Sequence, residues 1–226
     1  MNRREFTVAI SAFGTAGMLP GWSQAATTET EAATGIRAAL ERGATAAVAQ
    51  LGRTDGFLGN PLVRIDLPGH LKDAAKLMRT LGQGRKVDEL VTAMNRAAEA
   101  AMPEARTLFV STVKAISVED ALKVVRGGAT SVTDFFAAKT RAPLGLRFLP
   151  IITKATEKVQ LAERYNAVAA KAAGLGLVKG EDANVQQYVT TRALDGLFLM
   201  VAEEEKRIRA NPLQTGSAIL SKVFGR

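Results

Sequence analysis

Apolar residues recur at three- and four-residue steps from Gly35 almost to the end of the chain, and this spacing restricts the fold more than any other feature. In "GIRAALERGATAAVAQLG" it puts Ile36, Leu40, Ala44, Ala47, Val48 and Leu51 on one helix face. Such a chain buries its apolar surface by packing helix against helix. The first clear interruption is "RTDGFLGNPLVRIDLPG", with turn signals at Asp55-Gly56, Gly59-Asn60-Pro61 and Pro68-Gly69. Within it Leu62, Val63 and Ile65 read as extended, but a lone strand cannot form a sheet. Pro68 suits the first position of the next helix, "PGHLKDAAKLMRTLG".

After the Gly82-Gln83-Gly84 break, "RKVDELVTAMNRAAEAAMPEARTLFVSTVKAI" is helical, and Pro103 is expected to end or kink it. Ser117 opens "SVEDALKVVRGG", where Asp120 completes a capping-box pattern; Ser131 and Asp134 repeat that pattern in "ATSVTDFFAAKTR". "APLGLRFLPIITKATEKVQLAERYNAVAAKAAGLG" follows as a separate helix, kinked at Pro150 and capped at Gly174. Gly176 to Glu181 read as a loop. A further helix runs roughly from Asn184 to Asn211 and is closed by Pro212, and "PLQTGSAILSKVFG" ends the chain as a short amphipathic helix. No fixed-period repeat or low-complexity linker divides the sequence. The expectation is one all-α, multi-helix bundle domain over 35–226, of about seven to nine helices. Its many face-lining alanines predict close helix crossings.

The amino terminus, "MNRREFTVAISAFGTAGMLPGWSQAA", pairs Arg3 and Arg4 before Phe6, and a weakly apolar run extends to Leu19. Pro20-Gly21 breaks that run, and Ser23-Gln24-Ala25 offers small residues where a signal peptidase reads. Residues 1–25 thus read as a twin-arginine-like signal peptide cleaved near Ala25. An ordinary secretory signal is the alternative. Residues 26–34 read as a flexible polar spacer, and the mature protein as periplasmic. The apolar run is too short to span a membrane, so no transmembrane span is expected in the mature chain.

The chain has no cysteine and one histidine, His70. That excludes disulfides, zinc–thiolate and iron–sulfur sites, cysteine nucleophiles and any metal site with two histidines. His70 reads as a first-turn or surface residue that could act as a base only beside a carboxylate. The whole chain carries 30 Lys and Arg against 22 Asp and Glu. Without Arg3, Arg4 and Glu5, 28 face 21, a net charge of +7. A basic envelope protein poor in aromatics is suited to an anionic envelope surface more than to nucleic acid, which would require aromatics interleaved with the basic residues. Solubility alone also accounts for the charge.

The stretches "DGFLGNPLVRIDLP", "ISVEDALKVVRGGATSVTDFF", "RYNAV" and "YVTTRALDGLFLMVAEEEKRIRANP…KVFG" together resemble a bacterial family, domain of unknown function 4197, from about Gly35 to Gly225. The resemblance implies an exported helical envelope protein and brings no catalytic residues with it.

Local motifs for chemistry are sparse. "STVK", Ser111 to Lys114, has the Ser-x-x-Lys spacing of penicillin-recognising enzymes but lacks their Lys-Thr-Gly strand and mixed fold. "GLGLVKG", Gly174 to Gly180, follows a helix where a dinucleotide loop would follow a strand. The conspicuous feature is Glu203-Glu204-Glu205. At about 100° per residue, Leu194, Leu197, Phe198, Val201 and Ile208 share one line. Glu203 lies opposite, within reach of Lys206 and Arg207, while Glu204 and Glu205 flank the apolar line. An inward carboxylate must be paired. Arg209 can reach Glu205. Glu204 is expected to find a partner among Arg164, Tyr165, Asn166, Lys139 and Arg141. Two roles are open for the pair: an ion-pair network that docks the last helices, or the lining of a ligand pocket with Arg164, Tyr165, Asn166 and Phe135. Asp134 is expected to complete a cap, and Phe135 and Phe136, which cannot share a helix face, to pack against different neighbours.

Three functions follow as expectations. The first is a non-enzymatic binding module for a lipid or small amphipathic ligand, or for an envelope surface. The second is an enzyme with a carboxylate-centred, metal-assisted site at Glu204, Glu205 and Tyr165. The third is a structural or assembly protein of the cell envelope. No catalytic residue, metal ligand or cofactor is assigned.

Overall fold

The computed structural model describes residues 22–117, 119–120, 124, 127–158 and 184–211. Among them are five helices: α1 (Trp22–Leu51), α2 (Gly69–Thr80), α3 (Gly84–Lys114), α4 (Ser131–Lys158) and α5 (Val185–Ala210). No strand occurs among the described residues. The fold is all-α. Residues 1–21 of the expected signal peptide, the expected loop at 176–181 and the expected helix from Pro212 lie outside the described residues, while 22–25, the end of the expected signal peptide, belong to helix α1. Helix α1 takes in 26–34, the stretch read as a spacer.

Four long helices form a bundle in the cyclic order α1, α3, α4, α5, each packing against the next and α5 closing on α1; α2 leans on the outside of α3. The face predicted for α1 is the buried one: Ile36, Leu40, Ala44, Ala47, Val48 and Leu51 are all in the core. In the bundle centre Phe109 of α3 meets Phe136 of α4 (centroids 5.8 Å) and Phe198 of α5 (5.9 Å, edge-on). These tilted and edge-on arrangements satisfy the ring quadrupoles.

Three prolines lie inside helices without ending them: Pro103 in α3, and Pro143 and Pro150 in α4. The break expected before "APLGLRF" is therefore absent, and one 28-residue helix replaces two. Each proline removes an amide and leaves the carbonyl four residues back without its donor. All three are solvent-exposed, so water can serve on that side while the opposite face stays packed. α2 ends as its glycine predicts: Gly82 takes φ +74°, with Gly82 N donating to Arg79 O and Gln83 N to Met78 O, a Schellman closure.

Candidate functional site

The first capping box is half realised, since Ser117 Oγ accepts from Asp120 N at 3.1 Å. The second is overturned. Ser131 is the first residue of α4, and its hydroxyl donates to Val124 O (2.6 Å) and Gly128 O (2.9 Å). The first-turn amides of α4 are taken by Glu205 of α5. Val132 N donates to Oε1 (3.2 Å), and Thr133 N and Oγ1 donate to Oε2 (2.9 and 2.7 Å). A carboxylate at a helix amino terminus meets both unpaired N–H groups and the positive end of the dipole. Arg209, one turn on, holds the same carboxylate through Nε at 2.9 Å and reaches Ser131 Oγ at 3.1 Å. Glu205 is thus a cap supplied by a helix 72 residues away.

Glu204 and Glu205 face inward as the wheel predicts, 8% and 7% exposed, and Glu203 pairs with Lys206 at 2.8 Å near the surface. Two pairings differ from expectation. Arg207 bonds Glu204 instead of Glu203, folding back over it from the same helix. Arg141 is committed to Asp195, and Lys139 lies over the Phe135 ring at 5.6 Å. Glu204 thus has a local partner, because a guanidinium one turn away reaches the edge of the helix seam more directly than one from another helix. Phe136 is core, whereas Phe135 is half-buried under Lys139. Asp134 accepts from Thr130 Oγ1 at 3.2 Å. Arg164, Tyr165 and Asn166 lie outside the described residues. Beside Glu205, an opening among Ile36, Leu40, Val132 and Val201 encloses about 20 Å³, room for about one water.

A second buried polar cluster, on α3, escaped the sequence reading. Glu99 is 5% exposed and accepts from Phe57 N (3.1 Å) and Leu58 N (3.2 Å). Arg96 bridges it at 2.6 Å to Asp55 at 2.7 Å. The hydrogen bond that Arg96 donates to Glu99, foremost among several causes, raises the Arg96 pKa further above its already high value. One turn earlier, Asn95 accepts from Ile65 N and donates to Ile65 O, both at 2.8 Å. A side-chain amide thereby gives Ile65 the two-point pairing a neighbouring strand would supply, whereas Leu62 and Val63, expected to be extended, lie in a turn that Val63 N and Arg64 N close onto Asn60 O (3.2 and 2.9 Å). Asp55 turns the chain with φ 64°.

The loop 52–68 is pressed onto α5 at Gly196. A Cβ there would lie 2.8 Å from Phe57 Cε1 and 3.1 Å from Val63 Cβ, so only glycine permits the approach. Asn60 Nδ2 reaches Met200 Sδ (3.8 Å), and Tyr188 Oη donates to Asp66 O (2.7 Å). Between this loop, the start of α2 and α5 lies a cleft of about 340 Å³. Tyr188, Arg192, Asp195 and Leu199 line its α5 wall at three- and four-residue steps; Arg64, Asp66 and Lys72 face them. Arg192 sits over Tyr188 at 5.3 Å and 3.5 Å from Asp195, which Arg141 also holds. Arg64 and Asp66 pair at 3.3 Å. Leu62 and Leu199 at the rim are 64% and 40% exposed.

Both walls come from stretches that carry the resemblance noted above, "VRIDLP" and "YVTTRALDG". The family model described as "Protein of unknown function (DUF4197)" matches residues 26–225. The chain belongs to the DUF4197 family. No curated protein and no solved structure gives a significant match to this DUF4197 chain. Among its described residues no three of His, Cys, Asp and Glu gather as a metal-binding group, and no helix is long and apolar enough to cross a membrane.

Proposed function

We propose that this DUF4197 protein is a non-enzymatic binding module of the cell envelope that takes an amphipathic ligand in the cleft between the 52–68 loop and α5. The observation that carries the reading is the composition of that cleft. It combines an aromatic ring, cationic groups and exposed leucines on walls fixed by hydrogen bonds from α3 and α5. Its volume falls in the range of small-molecule sites, which begins at about 300 Å³. The inward carboxylates support the same reading: Glu99 and Glu205 are occupied by backbone amides and arginines, and Glu204 by Arg207. A general acid or base needs a carboxylate within reach of substrate.

The reading places the mature protein in the periplasm, delivered by residues 1–25 as a twin-arginine signal; the family match begins just after them, at residue 26. Substituting both Arg3 and Arg4 by Lys is expected to abolish periplasmic accumulation, and unchanged export would remove the twin-arginine route. The function itself is tested by native mass spectrometry of mature protein taken from its own periplasm. A stoichiometric amphiphile is expected. A clean apo mass, with no thermal stabilisation by any amphiphile added back, would overturn the binding-module reading.

A further inference from the structure

The geometry points to an anion site inside this cleft: Arg64, Lys72 and Arg192 all line its space of about 340 Å³, and the ligand is an amphiphile with a carboxylate or phosphate head. This rests on the binding-module reading and makes it specific.

Cations outnumber carboxylates in the lining, with Arg64, Lys72 and Arg192 against Asp66 and Asp195. Asp195 is also shared with Arg141 outside the lining, which leaves the cleft mouth positive. A net positive lining raises the local concentration of counter-charged ligands, though less than a lining of one sign would. The guanidinium of Arg192 is oriented from behind by the Tyr188 ring, and Tyr188 is itself pinned to Asp66 O, so the cation is presented on a fixed support. Planar guanidinium groups recognise carboxylate and phosphate oxygens in pairs. The start of α2 adds to this, since its Pro68 cap provides no side-chain acceptor and no acidic residue occupies its first turn. Leu62 and Leu199 at the rim give an apolar tail somewhere to lie once the head is seated. Carboxylate and phosphate heads share this chemistry, whether they arrive on a dispersed amphiphile or at a bilayer surface.

The test is calorimetric titration of the full mature chain, at low and moderate salt, with octyl phosphate, octanoate and neutral octyl glucoside below their micellar concentrations. Expected is one-to-one binding of the two anions, at least tenfold weaker binding of octyl glucoside, and competition by inorganic phosphate. Lys72→Glu and Arg192→Gln should each weaken octyl phosphate at least fivefold. Lys72 is exposed, so Lys72→Glu should keep the thermal midpoint; Lys154→Glu, on the α3–α4 side, should bind normally. Phosphatidylglycerol vesicles separate the sources. Vesicle binding lost in Lys72→Glu assigns the head to a bilayer, and binding of dispersed octyl phosphate alone assigns a soluble amphiphile. Equal affinity for octyl glucoside, or full affinity in Lys72→Glu, would overturn the anion site. A neutral amphiphile retained in the native mass spectrum would do so too while leaving the binding-module reading intact; the failure of every amphiphile to bind would remove both.

Discussion

Removing the carboxylate of Glu205 isolates the α4 cap. In Glu205→Ala the amides of Val132 and Thr133, the Thr133 hydroxyl and Arg209 all lose an acceptor at once. Val132 and Thr133 are buried, and Arg209 is only 18% exposed at its side chain. Each stranded buried donor costs about 1–3 kcal/mol, and breaking a buried ion pair from one side about 3–5 kcal/mol. These overlap, because Arg209 can swing toward water, so a total loss of about 3–5 kcal/mol is expected. For a domain of this size that lowers the midpoint by roughly 6–20 °C. Glu205→Gln keeps one acceptor oxygen but turns an NH2 toward donors, and should fall between that loss and the parent. Urea unfolding followed by circular dichroism gives the free energies. Adding Arg209→Met to Glu205→Ala should recover part of the loss, since the stranded charge goes with it. A loss below about 1 kcal/mol in Glu205→Ala would refute the reasoning, because the amides would then be satisfied without the carboxylate.

Glu203→Ala, two residues away and paired only at the surface with Lys206, should change stability by no more than about 0.5 kcal/mol in the same assay. Asn95→Ala leaves both backbone groups of Ile65 unpaired and should cost about 2–4 kcal/mol, with hydrogen exchange at the Ile65 amide accelerating more than at core amides of α4. Gly196→Ala drives a methyl against Phe57 and Val63 in a filled core. Overpacking of about 1–3 kcal/mol outweighs a helix-propensity gain of about 1 kcal/mol, so thermal unfolding should show a net loss.

The sequence made the all-α architecture legible because helical periodicity is local. The face of α1, the span from Asn184 to Asn211 and the inward turn of Glu204 and Glu205 all follow from spacing within one helix. Asn184 caps α5, accepting from the Gln186 and Gln187 amides. Partners were legible only at that range as well. Arg209–Glu205 is an i,i+4 pair, whereas the bond that Thr133 N donates to Glu205 spans 72 residues and leaves no periodic trace. The unbroken α4 was hidden because a proline's effect depends on whether its face meets water, which Pro143 alone does not reveal. The cleft was hidden because α5 is buried on two sides. Beside the stripe through Leu194 and Phe198 runs another, Val185, Val189, Gly196 and Met200, which meets the loop; reading one line finds one partner. Asn95 and Glu99, two polar residues one turn apart on an otherwise apolar face of α3, were the available signal for that loop.

The two walls of the cleft are joined by a hydrogen bond between residues 122 positions apart, from Tyr188 to Asp66. Neither wall presents the site alone, so an occupant recognises the assembled chain and has no counterpart to bind in the unfolded one. By mass action the occupant, at free concentration L, then raises the unfolding free energy by RT ln(1 + L/Kd), about 2.7 kcal/mol at a hundredfold excess over Kd. A melting curve is therefore a direct gauge of occupancy, and a ligand whose identity is unknown can be sought by nothing more than the temperature at which the bundle comes apart.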